Sequence, residues 1–296
     1  MKANEFSTIL FEKKLLVSDG ATGTNLIQRG LPQGKTAEEW VLENPEIILQ
    51  LHKDFIKAGS DLILTSTFGG SKIRLEQSGI ADRFSEVNSK AVDLAREAAL
   101  NTKTLIVGSI GPLGHMLKPL GPLDEKDAEV YYYDQAKALV EAGVEILLIE
   151  TQFDLTEASI GVNAALASGD LPVICSFSFD RGTKTMMGVS PVKFAQTLGK
   201  SGVAALGINC GKSLEDNLNS LKELAEATDL PIWYKPNAGL PRLTDDGRPV
   251  YDVSPEIMAG HVESWIESGA KIIGGCCGTT PEHLSAVAEV VKHYQK

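Results

Sequence analysis

Cysteine is scarce: only four occur in 296 residues. That is too few for a disulfide scaffold, so each reads as free, catalytic or metal-bound. Positive charge is short as well, with 28 Lys and Arg against 39 Asp and Glu and a formal net charge of -11. A surplus of that sign argues against nucleic acid or an anionic membrane as partner, and no basic cluster interrupts it. No apolar run approaches the roughly 18 residues a membrane helix needs. The opening stretch MKANEFSTILFEKKLLVSDG is cut by Glu12, Lys13 and Lys14 and lacks a signal peptide's continuous apolar core. The chain is therefore expected to be soluble and cytoplasmic. No low-complexity segment or composition break marks a linker, so one domain over residues 1–296 is expected.

Hydrophobic residues, at 43%, suffice for a full core. They are arranged in short β-rich runs that alternate with amphipathic helical stretches. The runs are LLVSDG from Leu15, DLILTSTFG from Asp61, TLIVGSIGP from Thr104, EILLIET from Glu145, PVICSFSF from Pro172, ALGINCG from Ala205, PIWYKPNAG from Pro231 and KIIGGCCG from Lys271. Most are continuously apolar at their starts, as parallel strands covered on both faces should be. Helical patterns such as NPEIILQLHKDFIKAG separate them, and several end in Gly just before the next run. Eight βα units in this length predict a (β/α)8 TIM barrel. A doubly wound sheet is the alternative, but DGATGTN after the first strand is not its G-x-G-x-x-G turn. The longer connections, residues 25–44, 113–127 and 240–254, all follow strands. They fall on the C-terminal face, where such barrels keep their chemistry.

Three of the four cysteines end strands on that face. Cys210 closes the sixth run; Cys276 and Cys277 close the eighth, flanked by Gly274, Gly275 and Gly278. Only one strand separates the sixth from the eighth in a closed barrel, so the thiols can converge. Three thiolates suit zinc and leave one coordination position open. Inert packing is the alternative and is the expected fate of Cys175, in mid-strand. A redox role is a weaker option, because there is no C-x-x-C spacing.

The motifs DGATGTN, ILTSTFGG, IGPLG, IET, GINCG, PNAG and GGCCGTTPEH resemble the homocysteine S-methyltransferase family. The likeness is greatest to the homocysteine-binding domain of cobalamin-dependent methionine synthase, and it covers nearly the whole chain. The resemblance implies a zinc-dependent barrel enzyme that methylates the thiol of L-homocysteine to give methionine. It implies Cys210, Cys276 and Cys277 as zinc ligands, with the substrate sulfur in the fourth position and Asn237 able to take that position without substrate. It further implies Glu150 and Asp19 as partners of the substrate ammonium. The backbone of Gly20 and Ala21 would meet the substrate carboxylate, and Thr67 would line the pocket. Ser66, Gly70 and Gln152 depart from the expected pattern near this pocket.

A separate methyl-corrinoid protein is the expected methyl donor. S-methylmethionine and betaine are alternatives, and a non-catalytic zinc- or thiol-binding barrel is the rival from another class. An aldolase-like barrel would need a Schiff-base lysine, for which Lys235 is the one strand-end candidate. His115, on the loop after the third strand, reads as solvated. Tyr131, Tyr132 and Tyr133 read as helix packing, and Asp245-Asp246-Gly247 as a hairpin turn.

Overall fold

The computed structural model describes residues 1–244 and 249–295. In chain order its first half holds α1 (Ala3–Lys13), β1 (Leu16–Val17), α2 (Gly23–Gln28), α3 (Ala37–Glu43), α4 (Pro45–Lys57), β2 (Leu62–Leu64), α5 (Lys72–Gln77), α6 (Phe84–Ala98), β3 (Leu105–Ile110) and α7 (Glu125–Ala142). The second half holds β4 (Ile146–Gln152), α8 (Leu155–Ser168), β5 (Val173–Phe177), α9 (Pro191–Leu198), β6 (Ala205–Cys210), α10 (Leu214–Ala227), β7 (Ile232–Pro236), β8 (Arg242–Leu243), β9 (Pro249–Val250), α11 (Pro255–Glu267), β10 (Ala270–Ile273) and α12 (Pro281–Tyr294).

The eight predicted runs are the eight strands of one parallel sheet, in the order β1-β10-β7-β6-β5-β4-β3-β2. A parallel bridge between Ser18 and Leu62 joins its two ends into a barrel. The strands alternate between two apolar layers, as a two-residue side-chain period requires. Leu16, Leu62, Leu64, Ile146, Leu148 and Trp233 belong to an inner cluster. Val17, Ile63, Leu147 and Ile149 join the larger cluster under the helices. Phe6 and Leu10 of α1 pack into the inner cluster and stop the N-terminal end of the barrel. The C-terminal end is left for the loops.

Helix α4 shows how the outer layer is encoded. Pro45 begins it without losing a needed donor, and Ile48, Leu51 and Phe55 bury one face. Gly59, at φ 106, then turns the chain toward β2.

Several elements lie where connections were expected. The 25–44 segment contains most of α2 and all of α3. Helix α3 starts at a capping box in which Glu39 N–H donates to Thr36 Oγ1 at 3.3 Å and Thr36 N–H donates to Glu39 Oε2 at 2.8 Å. The 240–254 segment contains the antiparallel pair β8–β9. The turn expected at Asp245-Asp246-Gly247 lies outside the described residues. Among the described residues no helix is long and apolar enough to cross a membrane.

Candidate active site

Cys210 ends β6, and Cys276 and Cys277 follow β10. Their sulfurs lie within 4.8 Å of one another, the one such His/Cys/Asp/Glu cluster among the described residues. Cys210 Sγ is 2.9 Å from Cys276 Sγ. This convergence needs an uncommon backbone. Cys210 sits at φ 61, the left-handed region that non-glycine residues avoid. Its carbonyl is held there by Asn217 Nδ2 at 2.6 Å and by the Asn237 N–H at 3.2 Å. Cys175, by contrast, is fully buried in β5, and burial alone pushes its thiol pKa up.

Within the cluster the Cys277 thiol is the one drawn down in pKa. The neighbouring Cys210, then Cys276, hold it down to about 3 against the upward pull of burial. Cys210 is pushed well up, first by its bond with Cys276 and then by Cys277 and burial. Cys276 is pushed up to about 12: its bond with Cys210 works downward, but Cys277 and burial outweigh it. Asn209 ties the cluster to the neighbouring strands. Its Nδ2 donates to Thr151 Oγ1 at 2.7 Å and approaches Cys210 Sγ at 3.4 Å. Its Oδ1 accepts from Ser176 Oγ at 2.6 Å.

Three sulfurs this close fit a thiolate-binding cation such as zinc, which holds sulfur at about 2.3 Å. Asn237 supports the fit. Its Nδ2 donates to Gly211 O at 2.8 Å, yet its buried Oδ1 has no partner. A buried acceptor left free beside a thiol cluster is an unused ligand atom.

A set of buried charges lies beside the cluster. Asp19 follows β1, and its Oδ1 receives Lys235 Nζ at 2.6 Å, with the two side chains 2% and 3% exposed. Its Oδ2 receives the Leu64 N–H at 2.7 Å. Gly274 makes room for this pair, since a Cβ there would lie 2.8 Å from Asp19 O and 3.1 Å from Lys235 Cγ. Glu150, on β4, is 7% exposed and accepts a very short hydrogen bond from Ser109 Oγ. Burial raises it to about 7; Lys235 pulls the other way, and Cys276 and Asp19 add to the rise.

The remaining predicted pocket residues are already engaged within the protein. Ala21 N–H donates to Thr279 Oγ1 at 3.1 Å. Thr67 Oγ1 donates to Ser109 O at 2.7 Å. A Cβ on Gly20 would lie 2.7 Å from Phe55, so that position admits only glycine without a shift. His115 contacts Gln77 at 3.4 Å and is not in the thiol cluster. Tyr132 is core, and Tyr133 is exposed.

Sequence reasoning missed Ser109, Asn209 and Tyr251, and weighed Lys235 only as a Schiff-base candidate. Asn209 was in view inside GINCG. The other three carry no local pattern. It also missed His52, buried beside Asp19 with Nε2 unpartnered and lowered to about 4 by burial.

The homocysteine S-methyltransferase family model matches residues 16–291. The chain belongs to the homocysteine S-methyltransferase family. Among relatives, methionine synthase of Mycobacterium leprae (strain TN) is 29% identical over 308 aligned residues, which cover 97% of this chain. The chain spans 25% of that enzyme's length. Among solved structures, the metallated form of the homocysteine methyltransferase MmuM from Escherichia coli superposes with a TM-score of 0.81 at 26% identity, covering 95% of this chain and 98% of that one. The apo form of MmuM gives 0.72 at 27% identity, covering 93% and 95%. Family membership agrees with the resemblance carried by GINCG and GGCCGTTPEH.

Proposed function

We propose that this chain is a zinc-dependent methyltransferase that methylates the thiol of L-homocysteine to give methionine. The observation that carries the reading is the juxtaposition of a three-cysteine cluster with a buried carboxylate at the same end of the barrel. A thiol site alone would serve a sensor. A thiol site beside Glu150 suits an amino-acid thiol with a sulfur at one end and an ammonium at the other. The better superposition on metallated than on apo MmuM supports a metal-compatible arrangement.

Cys210, Cys276 and Cys277 would hold the zinc, and Asn237 Oδ1 would complete the set when no substrate is present. When bound, zinc supplies positive charge that lowers the pKa of an added thiol and keeps it a nucleophile at neutral pH. The chain's own residues do the rest. Glu150 accepts the substrate ammonium, and the ammonium in turn favours the ionised carboxylate. Ser109 orients that carboxylate through its hydroxyl. Lys235 pairs with Asp19, which limits the repulsion between the two buried carboxylates. The β-strand ends hold these groups at a fixed distance from the sulfurs, which aims the thiol out of the barrel toward a methyl donor.

The proposed donor is a separate methyl-corrinoid protein. The match to methionine synthase supports it. So do exposed apolar side chains on the strand-to-helix connections of the same face: Phe68, Leu120, Met186 and Leu240, with Leu243 and Val250 on the β8–β9 pair. A macromolecular donor would cover them. Turnover by the purified protein with homocysteine and S-methylmethionine or betaine alone would overturn that donor.

The test of the function is metal content followed by thiol binding. About one zinc per chain, lost in Cys210→Ala, with proton release on homocysteine addition, is the expected result. Zinc with no homocysteine response favours a non-catalytic metal barrel instead.

A further inference from the structure

Strand β4 slips against β5 at the point where it carries Glu150. The pairing runs as far as Ile149 with Cys175 and resumes at Gln152 with Phe177, so Glu150 and Thr151 stand opposite Ser176 alone. The extra residue is a bulge, and a bulge re-aims the side chains around it. Thr151 absorbs the distortion at φ 59, a left-handed backbone that a β-branched residue adopts only under constraint.

The constraint comes from Asn209. This residue lies on β6 and is fully buried, and β5 stands between β6 and β4. Its Oδ1 accepts the Thr151 N–H at 3.0 Å and the Ser176 hydroxyl at 2.6 Å. Its Nδ2 donates to Thr151 Oγ1 at 2.7 Å. A backbone N–H at the oxygen fixes which end of the amide is which, so the second Nδ2 hydrogen is left for the sulfurs. Cys210 Sγ lies at 3.4 Å and Cys276 Sγ at 3.9 Å. One amide thus grips the residue after Glu150 from two sides while resting against two of the three thiols. Cys210, the next residue along β6, is itself at φ 61. The two left-handed strand ends are therefore joined through a single side chain.

We propose that Asn209 is a positioning residue that sets the spacing between the two ends of the site: it holds Thr151 in the bulge so that Glu150 faces the amino group of a substrate whose thiol lies at the cysteine cluster. The inference rests on the homocysteine reading above and deepens it. An amino-acid thiol must reach both ends at once, so its binding depends on their separation. A thiol without an amino group engages the sulfur end alone and is indifferent to where Glu150 points.

The probe for that difference is 4-mercaptobutyrate, which is homocysteine without its amino group. Both thiols would be titrated into the zinc-loaded protein by calorimetry, and the readout is the ratio of their affinities. Wild type should prefer homocysteine. In Asn209→Ala the ratio should fall about tenfold, as when a charged hydrogen bond is weakened. Thr151→Gly removes the Oγ1 grip at a φ that glycine adopts freely, so it should fold and show a smaller fall of the same kind. Added to Glu150→Gln, Asn209→Ala should lower homocysteine affinity little further, because it acts through that carboxylate. A wild-type ratio in Asn209→Ala, or in Thr151→Gly should the alanine variant not fold, overturns the proposal. Full additivity with Glu150→Gln overturns it too. A wild-type protein that binds the two thiols equally overturns the ammonium role of Glu150 itself, and this inference with it.

Discussion

At the sulfur end of the site, ligand atoms converge without enough partners, whereas at the carboxylate end the charges are already paired inside the protein. Asn237 Oδ1 is buried and free, and three thiols share bonds among themselves. A few side chains away, Asp19 is bonded to Lys235, Leu64 and Ser18, and Glu150 to Ser109. The sulfur end is thus built to be completed by something added. The carboxylate end is built to stay as it is while a substrate docks. A buried pair costs much when broken and little when left alone, so it is a rigid reference for the reacting end.

Breaking the pair should give the largest effect. Lys235→Met strands Asp19 as an unpaired buried carboxylate, and a loss of about 3–5 kcal/mol in unfolding free energy is expected. The denaturant midpoint measures it, and the double variant with Asp19→Asn should recover much of the loss. An unmoved midpoint in the single variant would mean the pair does not brace the barrel.

Glu150→Gln sharpens the contrast, because it should touch only one end. Losing a charged hydrogen bond, worth about 1.5–3 kcal/mol, should raise the apparent KM for homocysteine about 10–100-fold. Zinc content should stay at the wild-type level. Metal loss in this variant would show that the two ends are not separable.

Acidity distinguishes the ends more gently. Glu150 is raised by burial from 4.5 to about 7. Homocysteine affinity should therefore fall as pH drops through about 7, and Glu150→Gln should flatten that limb. The stability sign is opposite. Between 4.5 and about 7 the unfolded carboxyl is ionised while the native one keeps its proton. Glu150 thus makes stability decline as pH rises across that window. Thermal unfolding of wild type and Glu150→Gln across that range reads the difference. Coincident slopes would place Glu150 in a more solvated setting.

The smallest effect is expected from Asn237→Ala. It removes the free Oδ1 and one hydrogen bond to Gly211, worth about 1 kcal/mol. Zinc retention should drop a few-fold without homocysteine and be unchanged with homocysteine bound. Equal losses in both conditions would remove Asn237 from the metal's surroundings.

The sulfur end is legible in the amino-acid sequence. Cys210, Cys276 and Cys277 sit at strand ends, and a run of β-rich and helical segments is enough to place strand ends on one face. The carboxylate end is legible only in part. Asp19 and Glu150 are in view, yet the partner that takes up Asp19 is not, because Lys235 lies 216 positions away. Helices α2 and α3 are hidden for a different reason. They are short, and their capping signals sit in a stretch without sustained periodicity.

Local sequence suffices for the barrel, for the strand that carries each candidate residue and for the family. All of these follow from period, turn chemistry and motifs, which are short-range properties. The closed fold alone settles that Lys235 pairs with Asp19, that Asn237 keeps a free oxygen and that the Tyr251 ring packs on Gly278. Those are contacts between strands and loops far apart in the chain. They depend on which side chains the barrel brings within hydrogen-bond distance in a dry interior, and no local pattern encodes that.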